Sequence, residues 1–585
     1  MLKQSRRWTI LLAIFGVWAL FLAQSCDRTA KRADVASPGG DKDGELVLKE
    51  DNEAQDGELP GEADAGSIAV ESPGPPAPAV FFLSGLKGYL EPCGCSAEIL
   101  LGGIERLTGY VDAARKLHPA ATMLDGGDML FEFAKIEEHD IPQVKAKADV
   151  IVAAQKKFGT QVTVPGELDF VLGSDFYLEK LAAAGVEPIA ANLAIDGKKL
   201  AATRLIELGT IKLGVLGAVD PAHYAGLENV ATREAIPAVK DALAALKKQG
   251  ATTTLLLMHG DLNATRAVMN AVDGIDFGVV GHAPRESDEV NLVNGGFTLE
   301  AFDQGRYLGV LKLYERDATD TYSNAGAASV SEIEKLERVI AHKQGQVDGF
   351  PPSKRRENPP ILARIQEDIK DLKAQVDTLR QASVNVPETG NAFIYRPIAM
   401  RPGLPTNAAM EAERRAFNES LKSLQMSVKR EVVAPKEGEA FYIGTNNCAT
   451  CHVTQNKFWE GTAHAHAVKT LEDRDKLFDQ SCIGCHVVGY EKPGGSVIGQ
   501  LHYEAKLGAR TIEKDLENVG CENCHGPGSE HAQMPVDAAG KAQFITTAPS
   551  VTECMECHVP EHSPKFNFDA YVKDITGPGH EMKSK

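Results

Sequence analysis

Four stretches near the C-terminal end repeat one spacing of reactive side chains: Cys448-Ala-Thr-Cys451-His452, Cys482-Ile-Gly-Cys485-His486, Cys521-Glu-Asn-Cys524-His525 and Cys554-Met-Glu-Cys557-His558. Two thiols separated by two residues and followed at once by an imidazole form the attachment signature of a c-type haem. The thiols add across the porphyrin vinyl groups, and the adjacent His supplies the proximal iron ligand. Zinc knuckles also pair cysteines, but they do not call for a His directly after every pair in four successive copies. Four haem c groups are therefore expected, with His452, His486, His525 and His558 as proximal ligands.

A second imidazole on the far side of each iron would give a six-coordinate, low-spin haem suited to electron transfer. The candidates for that distal role are His464, His466, His502, His531, His562 and His580. The segment 437–585 is too short to wrap four porphyrins in a conventional protein core. The porphyrins themselves must form that core, in a mostly α multihaem domain with short edge-to-edge distances.

The remaining cysteines point to the compartment. The chain has eleven Cys, and the eight in the haem motifs leave Cys26, Cys93 and Cys95. Lys3, Arg6 and Arg7 precede an apolar run from Trp8 to Ala23, which reads as a secretory signal. That run falls short of the ~20 residues of a comfortable membrane span. It ends on Ala-Gln-Ser-Cys26, which resembles the cleavage box of bacterial lipoproteins, so residues 1–26 are assigned as signal and Cys26 as a lipidated N-terminus. Residues 27–78 are acidic, rich in Gly and Pro and nearly free of aromatics, the composition of a disordered tether. The expected location is the periplasmic side of a bacterial membrane, with membrane attachment through the lipid. The net charge of −19 over 585 residues excludes a phosphate-tracking surface, so nucleic acid is not an expected partner.

Between the tether and the haem motifs the pattern changes twice. In 79–330 short β-rich runs (Ala79–Ser84, Thr122–Asp125, Gln161–Val164, Pro188–Leu193, Ile211–Ala218, Thr252–Met258 and Phe277–Val280) alternate with helical stretches (Gly103–Leu117, Val144–Lys157, Pro237–Lys248 and Thr265–Val272). This is an α/β domain, with the loops after its strands the natural place for a site. In 331–436 the chain turns helical. Leu362, Ile365, Ile369, Leu372, Val376 and Leu379 follow spacings of three and four, an a/d seam. A coiled-coil hairpin folded back on Glu332–His342, or self-association through the seam, would cover it. Asn407–Gln425 is a further helix.

Two resemblances sharpen this reading. Trp459-x-x-Thr462-x-His464-Ala465, Gly489-Tyr490 and Cys521-Glu522-x-Cys524-His525-Gly-Pro-Gly-Ser-x-His531 together resemble the cytochrome c-554 family of tetrahaem proteins. The match to that pattern favours His464, His531 and His580 as distal ligands, and the family implies one five-coordinate haem beside bis-His ones. Further upstream, Leu83 to Pro92, Gly102-Gly103, Leu124-Asp-Gly-Gly-Asp128, Ala191-Asn192-Leu193, Lys212 to Gly217, His259 and Gly281-His282 resemble the 5′-nucleotidase-like metallophosphoesterases. That likeness implies a four-layer α/β/β/α sandwich with two metals.

The metal set, however, is broken. Gly85 and Lys87 stand where the family has Asp-x-His, Val164-Pro165-Gly166-Glu167 replaces Gly-Asn-His-Glu, and Ala283-Pro284 ends what should be Gly-His-x-His. Asp128, His259 and His282 survive as residual metal-site candidates, so no metal beyond the haem irons is expected with assurance. Cys93-Gly-Cys95 lies close by as a candidate redox dithiol or a strained disulfide.

The leading expectation is a tethered electron-transfer cytochrome with redox protein partners, its α/β domain serving for docking or redox. The alternatives are a redox enzyme acting on a small nitrogen or sulfur species at an open haem, and an active nucleotidase that carries haems. The anchor is directly testable: Cys26→Ala should release the protein from membranes or block its processing, because two or three acyl chains at ~0.8 kcal/mol per buried methylene anchor firmly. Unchanged membrane association with no lipid adduct by mass spectrometry would refute the assignment.

Overall fold

Ala79–Leu83 (β1) is an unbroken apolar run buried along its whole length, as a central strand covered on both faces must be. In the computed structural model it is followed by α1 (Ile104–Leu117), β2 (Ala121–Asp125), α2 (Ile141–Phe158), β3 (Thr160–Thr163), α3 (Ser174–Ala184) and β4 (Glu187–Pro188). Then come β5 (Thr203–Leu208), β6 (Ile211–Val219), α4 (Ala235–Lys248), β7 (Thr253–His259), α5 (Leu262–Ala271) and β8 (Phe277–Val280). The α/β part closes with β9 (Asn291–Val293), β10 (Gly296–Glu300), β11 (Tyr307–Tyr314), β12 (Tyr322–Asn324), α6 (Pro359–Gln381), β13 (Asn391–Ala399) and α7 (Ala408–Met426). The structure describes residues 75–93, 101–283, 290–318, 321–326, 359–381, 386–535, 540–559 and 566–577, with isolated positions elsewhere. The expected signal with Cys26, most of the tether, Cys95, Pro284, His562 and His580 lie outside the described residues, and so does the Cys93 side chain.

The strands form two sheets, one of seven in the order β12-β13-β11-β1-β2-β3-β4 and one of six in the order β9-β10-β8-β7-β6-β5. The period-two alternation of side chains decides what each face meets. On β6, Leu213, Val215 and Val219 enter an apolar core shared with the seven-stranded sheet, whereas Leu216 and Ala218 face the other way. On β7, Leu255 and Leu257 join the shared core, while Leu256 and Met258 pack with Val239, Leu243, Val268 and Met269 of α4 and α5. Helices α1, α2, α3 and α7 contribute Ile104, Ile151, Tyr177 and Phe417 to the shared core.

Two boundaries differ from those expected. Strand β13 pairs with β11 along Tyr307–Tyr314 and α7 packs against α1 and α2, so the α/β part does not end near 330 but runs to Met426. The strand expected at Pro188–Leu193 shrinks to Glu187–Pro188. The Asn192 amide takes over the pairing, accepting from Val219 N at 2.9 Å and donating to Val219 O at 2.8 Å. The seam helix α6 is continuous; Ile369 and Val376 are buried, and Lys343 pairs with Asp368 at 2.7 Å.

The haem segment has little apolar core of its own, namely three small clusters centred on Val487, Val488 and Ile443. It is seated on the α/β part by buried polar groups. Lys476 Nζ lies 3.0 Å from Glu91, 3.1 Å from Asp479 and 2.9 Å from the Asn418 amide of α7. Gln143 of α2 donates to Asp479 at 2.7 Å. Arg430 joins Asp140 at 2.7 Å to Glu491 at 2.8 Å. Burial would raise the Glu91 carboxyl, but Lys476 and Arg414 outweigh it and hold it at about 2. Lys476→Met would take the ammonium from buried Asp479 and leave Glu91 with Arg414 alone, and removing one partner of a buried pair costs about 3 kcal/mol or more. A clear fall in thermal midpoint is expected, smaller when Asp479→Asn is added, as calorimetry of both variants will show.

Candidate functional site

The haem motifs each sit on a short helical turn: Thr445–Ala449, Gln480–Ile483, Cys521–His525 and Val551–Met555. None of the eight motif cysteines is fully buried. Cys448 lies beside Cys521, and Cys485 beside Cys557. The first motif thus abuts the third and the second abuts the fourth, although neither pair is adjacent in sequence.

Three of the imidazoles that follow the motifs are held at Nδ1. His486 Nδ1 donates to Ala467 O at 2.6 Å, His525 Nδ1 donates to Thr546 O at 2.6 Å, and His558 Nδ1 lies 2.9 Å from Ser563 Oγ. A bond at Nδ1 leaves Nε2 as the ligating nitrogen and fixes the ring. The distal candidates divide clearly. His531 faces His452 with ring centroids 6.1 Å apart, and His464 faces His558 at 6.2 Å. An imidazole nitrogen sits about 2 Å from a bound metal, so two rings on opposite sides of one iron have centroids roughly 6 Å apart. Both pairs fit an iron between them. His466 is exposed on the same turn as His464. His502 is exposed on the hairpin of β14 (His502–Leu507) and β15 (Arg510–Asp515), where Glu517 holds it at 3.0 Å.

Glu522 accounts for the denser motif around the third haem site. Its buried carboxylate accepts from Gly444 N at 2.7 Å, Gly528 N at 2.7 Å and Ile443 N at 3.0 Å. One side chain therefore fixes the third motif to the chain entering the first. Trp459 Nε1 donates to Val519 O at 2.9 Å, tying the segment before His464 to the third motif.

The second site lies where parallel strands of both sheets end, the usual position for a site in such sheets. β1 leads to Lys87, β2 to Asp128, β3 to Glu167, β6 to His223, β7 ends on His259, β8 leads to His282 and β10 to Asp303. His259 Nδ1 donates to Gly126 O at 2.7 Å, and its Nε2 donates to Glu167 at 2.7 Å. Asp128 Oδ1 accepts from Leu168 N at 3.0 Å. Lys87 Nζ pairs with Asp303 at 2.8 Å, and Lys87 N donates to Asp128 O at 2.7 Å. Lys87 and Asp128 both adopt φ of 51°, a strained choice for residues other than glycine that clusters at functional sites. At Gly166 a Cβ would come within 2.1 Å of Asp128 Oδ1, so only glycine admits this approach.

Electrostatics sort these groups. Burial opposes charge on His259, but Asp128 and Glu167 outweigh it and raise its pKa. Burial, then the positive charge of His259, lowers His282 to about 4, leaving it a neutral imidazole at neutral pH. The donors do not fit two cations. Gly85 supplies no ligand, and Lys87 brings an ammonium into the crevice.

Glu167 is the residue that sequence reasoning missed. Matching Val164-Pro165-Gly166-Glu167 letter for letter to Gly-Asn-His-Glu put Glu167 at the end of the motif. Setting Gly166 on the motif glycine instead puts Glu167 in the Asn ligand's place and Leu168 in that of the His. The close approach at Gly166 is the signal that would have revealed it. His223 was also unforeseen; its ring lies 4.9 Å from that of His282.

Residues 447–526 match the family model of cytochrome c554 and c-prime. Cytochrome c-554 of Nitrosomonas europaea is 32% identical over 105 residues, covering 15% of this chain and 40% of that protein. The chain thus spans less than half the length of the curated relative it matches. This likeness marks a c-type haem segment.

Solved structures resemble the larger part of the chain. Sulfate thiohydrolase SoxB of Thermus thermophilus is 14% identical, covering 77% of this chain and 73% of its own, with a TM-score of 0.42. A 5′-nucleotidase precursor of Thermus thermophilus is 12% identical, covering 78% and 92%, with a TM-score of 0.41. The calcineurin-like phosphoesterase YfkN of Bacillus subtilis is 14% identical, covering 60% and 98%, with a TM-score of 0.39.

The ring pairs give a direct test of ligation. His464→Ala and His531→Ala should each convert one low-spin haem to high spin in electron paramagnetic resonance, whereas His502→Ala should leave the spectrum unchanged. A spectral change with His502→Ala, or none with the other two, contradicts the pairing.

Proposed function

We propose that this chain is an exported multihaem cytochrome that transfers electrons through four c-type haems, held at a bacterial membrane by a lipid on Cys26. The observation that carries this reading is the pairing of His452 with His531 and of His464 with His558 at the separation that one shared iron requires. An iron with imidazoles on both sides is saturated; it passes electrons and binds no substrate. The proximity of Cys448 to Cys521, and of Cys485 to Cys557, favours porphyrins in close-packed pairs, with edges near enough for rapid transfer.

The α/β part, in this reading, is a metallophosphoesterase-like sandwich without two-metal chemistry, used as a seat for the haem segment and for docking redox partner proteins. Its buried seam through Lys476 supports that role. Self-association through the helix at Pro359–Gln381 and redox chemistry at Cys93 and Cys95 stay part of the proposal. Among the described residues no helix is long and apolar enough to cross a membrane.

Mass spectrometry of the denatured holoprotein should show four haem additions that survive acid-acetone extraction. Fewer additions, or extractable haem, would sink the tetrahaem assignment. The spectra should be mostly low spin, with at most one high-spin component per chain. Carbon monoxide that leaves the reduced spectrum unchanged would exclude catalysis at an open haem and leave electron transfer alone. Nucleotides and phosphate esters supplied with manganese, zinc or calcium should not be turned over, because a metal-bound hydroxide nucleophile depends on the lost ligands.

A further inference from the structure

The crevice of the α/β part holds groups that electron transfer does not use. Asp128 Oδ2 is fully buried and has no hydrogen-bond partner; His259 Nε2 is 3.7 Å away, too far to donate to it. An orphaned carboxylate oxygen in a protein interior is costly and calls for a missing partner. Around it the ligating atoms converge. One oxygen each of Asp128 and Glu167 and a ring nitrogen of His282 lie within 4.8 Å of one another. The bond from His259 Nδ1 to Gly126 O turns Nε2 toward the same point, as the outer hydrogen bonds of metal-bound imidazoles do. Glycine at 127, with φ of 96°, leaves room for that ring: a Cβ there would lie 2.6 Å from His259 Nδ1.

We propose that this crevice binds one divalent cation of the zinc or manganese type through Asp128, Glu167, His259 and His282, with the Lys87 ammonium taking the place of a second cation. Two imidazole nitrogens and two carboxylates suit such ions and not magnesium, which prefers oxygen alone. The arrangement departs from the two-cation site that the resemblance implies. One half of that site is rebuilt around Glu167. The other half is replaced by a fixed positive charge, salt-bridged to Asp303 at 2.8 Å and acting on Asp128 and Glu167. The site is separate from the haems and does not depend on how many of them are bound.

The test uses the full-length holoprotein, stripped with a chelator and titrated with zinc or manganese. Bound non-haem metal is counted by elemental analysis and affinity is measured by calorimetry. His502, Asp515 and Glu517 form an exposed trio whose ligand atoms also lie within 4.8 Å, so a His502→Ala background removes that competitor. One cation per chain is expected in that background. Glu167→Gln and His282→Ala should each weaken it by at least about tenfold, since even the loss of a hydrogen-bond partner to a metal ligand costs about tenfold to a hundredfold. Unchanged haem absorption and circular dichroism will show that the variants are folded. Lys87→Gln should bind the cation more tightly, since a positive neighbour is gone. No bound cation, two per chain, or affinity indifferent to Glu167→Gln and His282→Ala would each overturn the proposal.

Discussion

The Lys476 ammonium is the contact on which the joining of the two parts depends. It is nearly buried, and it reaches Glu91 from the segment after β1, Asn418 from α7 and Asp479 from the turn leading into Cys482. Apolar packing could hold two such surfaces together in many registers. Buried ionic groups are satisfied in very few, because a carboxylate moved away from its ammonium loses several kcal/mol. The network therefore fixes where the second haem motif stands relative to the α/β part. Gln143 and Arg430 complete it at either side, each bonded to groups on both parts.

Within the haem segment the same principle acts on a smaller scale. Few apolar residues are buried there, so fixed geometry comes from hydrogen bonds to the backbone. Glu522 spans from the third motif to the entrance of the first, and the Nδ1 bonds of His486 and His525 set the rings. A haem ligand held in this way needs little reorganisation when the iron changes charge.

The sequence made the haem chemistry legible because covalent attachment needs a fixed local spacing, and local spacing is what a sequence displays. His464 and His531 emerged through the pattern around them; their rings lie 6.2 Å from that of His558 and 6.1 Å from that of His452. The α/β alternation was also readable, since strands such as β1 and β7 are apolar throughout. Strand β13 was not, because its partner β11 lies far away in sequence and its Arg396 is a poor signal for a buried strand. Nor could the letters show that Asn192 replaces a strand pairing or that Glu167 enters the crevice. Both depend on a turn bringing one polar group against a distant strand.

The place of β13 between β12 and β11 has a consequence for how the molecule is made. The seven-stranded sheet cannot close until Asn391–Ala399 has returned from the excursion through α6, and α7 cannot cover α1 and α2 before then. Contacts so distant in sequence form slowly, since loop closure must precede any gain from them. An emerging chain would thus present β11 as an open sheet edge while the haem motifs are still being delivered. Maturation of the haem segment and completion of the sheet become late, nearly simultaneous events, and the Lys476 contact can form only after both.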